Sequence, residues 1–293
     1  MRFFNTAGPV KPGLHYCLPP LERIKLGEIL PLIEQEKYFV LHAPRQTGKT
    51  SCLLALMDFL NQQGTYRCVY INVEAGQAAR ENVEAAMRAI LSELANRAQW
   101  LIGSDYIASH WPQALTEQGS YGALGHLLSH WAAQDSKPLI LMIDEIDTLI
   151  GDTLISVLRQ LRAGYAWRPR RFPQSVILCG VRDVRDYRIH SSAEKAIITG
   201  GSAFNIKAES LRLGNFVRTE VESLYHQHTT ETGQTFTAEA LERVWDLTQG
   251  QPWLVNALGY EACFRVKAGR DRSCPITIES VNEAKENLIL RRE

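Results

Sequence analysis

The stretch Tyr38-Phe39-Val40-Leu41-His42-Ala43-Pro44-Arg45-Gln46-Thr47-Gly48-Lys49-Thr50 decides the fold. Its first five residues form a short apolar run that stops at a glycine-containing loop, and a helical pattern follows from Thr50 to Gln62, closed by Gly64. Strand, loop and helix in that order let successive backbone N–H groups turn inward around phosphates, while the helix N-terminus adds partial positive charge. Gly48 gives the backbone room, Lys49 suits β- and γ-phosphates, and the Thr50 hydroxyl suits Mg²⁺. The usual pattern is G-x-x-x-x-G-K-[ST]. Here Ala43 replaces the first glycine, which is tolerable if Ala43 keeps φ below zero. The expected cradle is Ala43, Pro44, Arg45, Gln46, Thr47, Gly48, Lys49, Thr50 and Ser51.

Upstream, Phe3 to Pro20 is rich in Gly and Pro and reads as an extended arm, followed by a helix from about Leu21 to Gln35. Downstream, Tyr66 to Val73 is a second strand, Ala78 to Ala98 an amphipathic helix, and Tyr121 to Ala133 a helix after a less regular stretch around Trp111-Pro112. Leu139-Ile140-Leu141-Met142-Ile143 has no polar alternation, as expected of a strand buried on both faces of a parallel sheet. A helix over Thr153–Tyr165, a strand at Ser175–Cys179 and a last strand within Phe204–Leu213 continue the alternation of an α/β parallel sheet. Beyond Gly214 the pattern changes to three helices, Val217–Thr230, Thr237–Thr248 and Trp253–Lys267, then a charged helix from Ile278 to Glu293. Thr237 fits an N-cap, Gly250 a helix end and Pro252 a first turn. The expected organisation is an arm over 1–20, a core over 21–214 and a small helical domain over 215–293.

Asp144 follows five apolar residues, so it should emerge at the carboxyl edge of the sheet, where ligands bind in open α/β folds. There it is suited to hold Mg²⁺ through water. Glu145 is placed to polarise an attacking water as general base. Asp147 is a third acid, two residues on, which also fits a helix cap. Acids after a strand are common in solvated turns. The phosphate loop roughly a hundred residues upstream favours the chemical reading.

The 293 residues, 45% hydrophobic and 22% charged, suit one large domain or two modest ones. The 32 basic and 32 acidic side chains cancel, so no global field draws the chain to nucleic acid or an anionic membrane. Six scattered cysteines without a C-x-x-C pair point to a reducing interior. With no apolar stretch of membrane-spanning length and no signal-like N-terminus, a cytoplasmic location is expected.

These residues resemble the AAA-like ATPases, particularly the bacterial and archaeal STAND-type branch with the "AAA-like domain" signature. The similarity rests on the Phe4-Asn5-Thr6-Ala7-Gly8-Pro9 arm with His15-Tyr16, the loop at 43–50, Asp144-Glu145, Val181-Arg182-Asp183 and Gly250-Gln251-Pro252-Trp253. It implies a five-stranded parallel sheet with helices on both sides and a helical lid, with ATP between them. It also implies that Arg182 is a sensor arginine reading the γ-phosphate, a task suited to a planar fork of donors. Arg182 and Arg185 equally suit a surface charge cluster with Asp183 and Asp186. By the same resemblance Pro252 packs by the nucleotide, and His15 and Tyr16 border the adenine. A helix break explains Gly250 and Pro252 as well, and packing explains Tyr16.

His126 and His130 share a helix face without a third metal ligand, and His226 and His228 should point apart. Arg168-Pro169-Arg170-Arg171 reads as a solvated loop, with nucleic acid or a neighbour's phosphate as the other reading. The expected activity is Mg²⁺-dependent ATP hydrolysis by Glu145, with Lys49 and Arg182 stabilising charge on the transferring phosphoryl group. The alternatives are a slow nucleotide switch controlling a protein partner, and a DNA-handling ATPase. Homo-oligomer formation on ATP binding belongs to the same expectation.

Overall fold

The computed structural model describes residues 1–191 and 196–291. The arm carries two short strands, β1 (Phe3–Phe4) and β2 (His15–Tyr16), paired in parallel with Phe3 opposite His15 and Phe4 opposite Tyr16. The helix expected over Leu21–Gln35 is two helices, α1 (Pro20–Arg23) and α2 (Leu26–Glu34). The break is at Lys25, whose φ of 52° is left-handed backbone that no helix continues through. Then come β3 (Tyr38–His42), α3 (Lys49–Gln63) and β4 (Arg67–Asn72).

The amphipathic helix expected from Ala78 starts later, as α4 (Val83–Ile102), because Asn82 caps it by accepting the Ala85 N–H at 3.0 Å. Residues 73–79 form a separate 3₁₀ turn. The stretch around Trp111-Pro112 is a regular helix, α5 (Tyr106–Gln118), which holds Pro112 within it. It precedes α6 (Ala123–Gln134), β5 (Leu139–Asp144), α7 (Gly151–Gly164) and β6 (Ser175–Gly180). An antiparallel pair not expected from the sequence follows, β7 (Arg188–Ser191) with β8 (Ala196–Thr199), then α8 (Gly200–Ala203) and β9 (Lys207–Arg212). The last part is α9 (Arg218–Thr232), α10 (Ala238–Thr248), α11 (Pro252–Tyr260) and α12 (Ile278–Leu290). α11 passes into a π-turn at Glu261–Arg265, ahead of the helix end expected at Lys267. Arg292 and Glu293, expected in the last helix, lie outside the described residues.

The chain divides into two compact units. One holds Ile24–Pro44 and Cys52–Leu213 and is built on the sheet β4-β5-β6-β3-β9, parallel throughout. Successive strand residues face opposite sides. Val40, Val69, Ile71, Leu141, Ile143, Val176 and Leu178 join one core with α4, α5, α6 and α7. The intervening Phe39, Leu41, Tyr70, Ile140, Met142, Ile177 and Cys179 are buried as well, so both faces are covered. That explains the unbroken apolar runs. β9, at the edge, is partly exposed along its length.

The other unit holds Met1–Arg23, Arg45–Ser51 and the chain from Gly214 on. Its core gathers Phe4 and Tyr16 from the arm with Val221, Tyr225, Val244 and Leu258 from the helices. Among the described residues no helix is long and apolar enough to cross a membrane.

Candidate nucleotide site

The loop is left-handed at Gln46 (φ 62°) and Gly48 (φ 90°), on either side of Thr47. Alternating backbone of this kind forms a concave nest of N–H groups, and only glycine adopts the second of these angles at no steric cost. Ala43 is absent from the described residues with positive φ, so the condition on which an alanine fits that position is met. It is fully buried, and its N–H bonds to Gly180 O at 3.2 Å. Pro44, Arg45 and Gln46 are exposed, Thr47 and Lys49 are buried, and Thr50 and Ser51 are half-buried at the start of α3. The Lys49 side chain is thus drawn in while the tip of the loop stays wet.

Other parts of the same unit touch the loop. The Val10 N–H bonds to Ser51 Oγ at 3.0 Å, and Arg23 Nη1 donates to Thr47 O at 2.9 Å. Gln251, which caps α11 through the Leu254 N–H, reaches Gln46 O at 3.5 Å with its Nε2. Pro252 is buried at the first position of α11. His15 is buried with its Nδ1 accepting the Lys11 N–H at 3.0 Å. Tyr16 is 1% exposed, edge-on to Phe4 and to His228, with its hydroxyl 3.2 Å from His228 Nδ1. Burial pushes that phenol up to about 12.

In the sheet unit, Asp144 ends β5 fully buried. Tyr70 donates its hydroxyl to Asp144 Oδ2 at 2.9 Å, and the Glu145 N–H bonds to Oδ1 at 2.9 Å, so both oxygens are oriented. Burial, and next the Asp144 charge, raise the Tyr70 pKa, which keeps the phenol a donor. Glu145 is half-buried in left-handed backbone, φ 57° and ψ 37°. Asp147 lies in a 3₁₀ turn, and its Oδ1 accepts the Val181 N–H at 3.3 Å, tying the segment after β5 to the end of β6. Arg182 follows β6 and is exposed. Asp183 is ion-paired with Lys207 at 2.6 Å, while the pairing considered for Arg185 lies outside the described side chains.

Arg23 and Tyr70 carried no signal in the sequence as site residues, and Gln251 entered only as the middle residue of the Gly250-Gln251-Pro252 motif. Tyr70 is legible only once β4 and β5 are in register, because it sits diagonally across from Asp144. Arg168 departs from the solvated-loop reading: it donates to Glu36 O and Tyr165 O and lies over the Tyr165 ring, whereas Arg170 and Arg171 are exposed. His228 is buried and His226 exposed, as their spacing requires. Among the described residues no three His, Cys, Asp or Glu side chains gather into a metal cluster.

The sequence matches the AAA-like domain family over residues 30–267. A comparison with curated proteins gives no match. In fold the chain is similar to the Walker-type ATPase of Pyrococcus abyssi, with TM-score 0.58 at 15% identity over 99% of this chain and 77% of that one. It is also similar to Drosophila ORC bound to DNA, with TM-score 0.57 at 13% identity over 94% of this chain and 62% of that one. Aeropyrum pernix ORC1 in complex with DNA gives 0.56 at 15% identity, over 93% and 66%. The chain thus spans under two thirds of the length of either ORC protein. At such identities the likeness is one of fold, and the family match covers most of the chain. The chain belongs to the AAA-like domain family and has the fold of the P-loop ATPases.

Proposed function

We propose that the chain binds ATP through residues 43–51 and hydrolyses it. The observation that carries this reading is the loop backbone, left-handed at Gln46 and Gly48 and running into α3 with Lys49 drawn in. Such a nest at a helix N-terminus attracts an anion through its N–H groups and the helix dipole. Lys49 supplies the compensating charge to the β- and γ-phosphates. The Thr50 hydroxyl and the oriented Asp144 carboxylate are hard oxygen donors of the kind Mg²⁺ takes beside nucleotide phosphates. When bound, that ion would neutralise charge developing on the phosphates. Glu145 orients and deprotonates the attacking water, and Arg182 reads the γ-phosphate. In this reading His15 and Tyr16 border the adenine as buried rings, and Pro252 packs by the nucleotide. In this reading 21–214 is the ATPase core and 215–293 the lid.

Two variants test it together. Lys49→Ala is expected to lose binding of a fluorescent ADP, and Glu145→Gln to keep binding while phosphate release falls at least about 100-fold. Undiminished release by Glu145→Gln would remove it as the base.

A second reading, a slow switch of the STAND kind whose nucleotide state controls a protein partner, is favoured by the bonds that Arg23 and Gln251 make to loop carbonyls. Purified protein holding ADP tightly and turning over very slowly would favour it. Two structural neighbours are described as DNA complexes, so hydrolysis stimulated by DNA would mark the third reading. Mass measurement with and without ATP tests assembly into homo-oligomers, and a cytoplasmic location is part of the same proposal.

A further inference from the structure

Two carbonyls of the phosphate loop are held from outside. Arg23 Nη1 donates to Thr47 O at 2.9 Å while its Nη2 donates to Gly214 O at 3.1 Å. The same guanidinium lies over the Phe216 ring, 4.6 Å from the centroid. Phe216 in turn gives its N–H to Gly250 O at 2.9 Å, next to the Gln251 that reaches Gln46 O. The contact with the loop is close: a Cβ on Gly48 would stand 2.8 Å from Arg23 Nη1.

In a planar trans peptide the C=O and the N–H point in opposite directions. With Thr47 O turned toward Arg23, the Gly48 N–H of the same peptide is turned away from it. Charge-assisted hydrogen bonds of this kind are about twice as strong as neutral ones. Only a fork of donors can serve Thr47 O and Gly214 O at once while stacking on an aromatic face.

We propose that Arg23 is a positioning residue, which fixes the 47–48 peptide in its phosphate-binding orientation and makes that orientation depend on the backbone at Gly214 and Phe216. This rests on the reading of the loop as a nucleotide site. Arg23 touches no phosphate in this proposal. It acts through the Gly48 N–H, and a movement of the 214–216 segment would be felt in the loop as a change in nucleotide affinity.

The test compares the unaltered chain with Arg23→Ala, Arg23→Lys and Lys49→Ala, measuring MgADP affinity by fluorescent-nucleotide titration, KM and kcat for ATP, and the thermal midpoint without nucleotide. The N–H bond is present in ground and transition states alike, so its loss raises KM and leaves kcat per active molecule unchanged. Arg23→Ala is expected to weaken MgADP binding and raise KM about tenfold or more. Arg23→Lys keeps the charge and the aliphatic stem, so it folds, yet it shows most of the same loss. A merely structural role would instead lower the midpoint and the active fraction with KM unmoved. That result, or wild-type affinity in Arg23→Lys beside a Lys49→Ala that does not bind, overturns the positioning role and leaves the nucleotide site standing. Failure of the unaltered chain to bind MgADP overturns both.

Discussion

Glu145 stands in left-handed backbone at φ 57°, where a residue with a Cβ is about 1–2 kcal/mol less stable than in the right-handed region. Glycine would relieve that strain, while its greater freedom in the unfolded chain costs about 0.5–1 kcal/mol. The relief matches or exceeds the cost, so Glu145→Gly is expected to leave the urea midpoint unchanged or raise it by the equivalent of up to about 1.5 kcal/mol. ATP turnover should nevertheless fall as far as in Glu145→Gln, because neither side chain can take a proton from water. Turnover surviving in Glu145→Gly would show that the strained position serves the fold alone. Its neighbour differs in kind. Asp144 is fixed by the Tyr70 hydroxyl and by the next N–H, so its orientation is a property of two adjacent strands.

At the scale of elements, what the sequence displays is what periodicity can display. The run Leu139–Ile143 reads as a doubly covered strand because every residue in it is apolar, and it is one. The 38–50 stretch reads as strand, loop and helix because the glycine and lysine stand where the apolar run stops. Residues tied across long separations are silent in that language: Arg23 bonds Gly214 across 191 positions with no spacing to betray it. α5 is hidden for a different reason, since Pro112 sits inside a helix that packing retains. Gly250 shows how a correct local reading falls short. It ends a helix at φ 70°, as a glycine there should, but a Cβ would also stand 1.9 Å from Phe216 O. Gly250→Ala must therefore displace backbone as well as strain φ, and is expected to cost about 2–4 kcal/mol in chemical denaturation. An unchanged midpoint would mean that the 214–216 segment yields freely.

Taken over the whole molecule, the titrating groups set a pH range of greatest stability. Burial is the first cause that lowers the pKa of His15, His42, His126 and His228 in the folded chain. For His15 the geometry agrees, because its Nδ1 already accepts the Lys11 N–H. The unfolded chain, with imidazoles near about 6.5, then binds more protons than the folded one, so stability rises with pH through this range. That contribution is present in full above about pH 7 and is lost as pH falls through about 6.5 toward the lowered folded values. Hydrogen bonds lower Glu231, Asp271 and Glu279, which act in the same direction in a more acid range. Buried acids that are neutral when protonated work oppositely. Tyr16 and Cys263 are each pushed up to about 12, and Cys17 is raised too, so the folded chain holds protons that the unfolded chain releases above about pH 8.5. Formal charges also balance near pH 7, where self-repulsion is least. The thermal midpoint of the nucleotide-free protein should therefore be highest between about pH 7 and 8 and lower at both about 5.5 and about 10. A series of melting curves across that range checks it, and a midpoint that rises from pH 7.5 down to 5.5 would contradict the sign derived for the histidines.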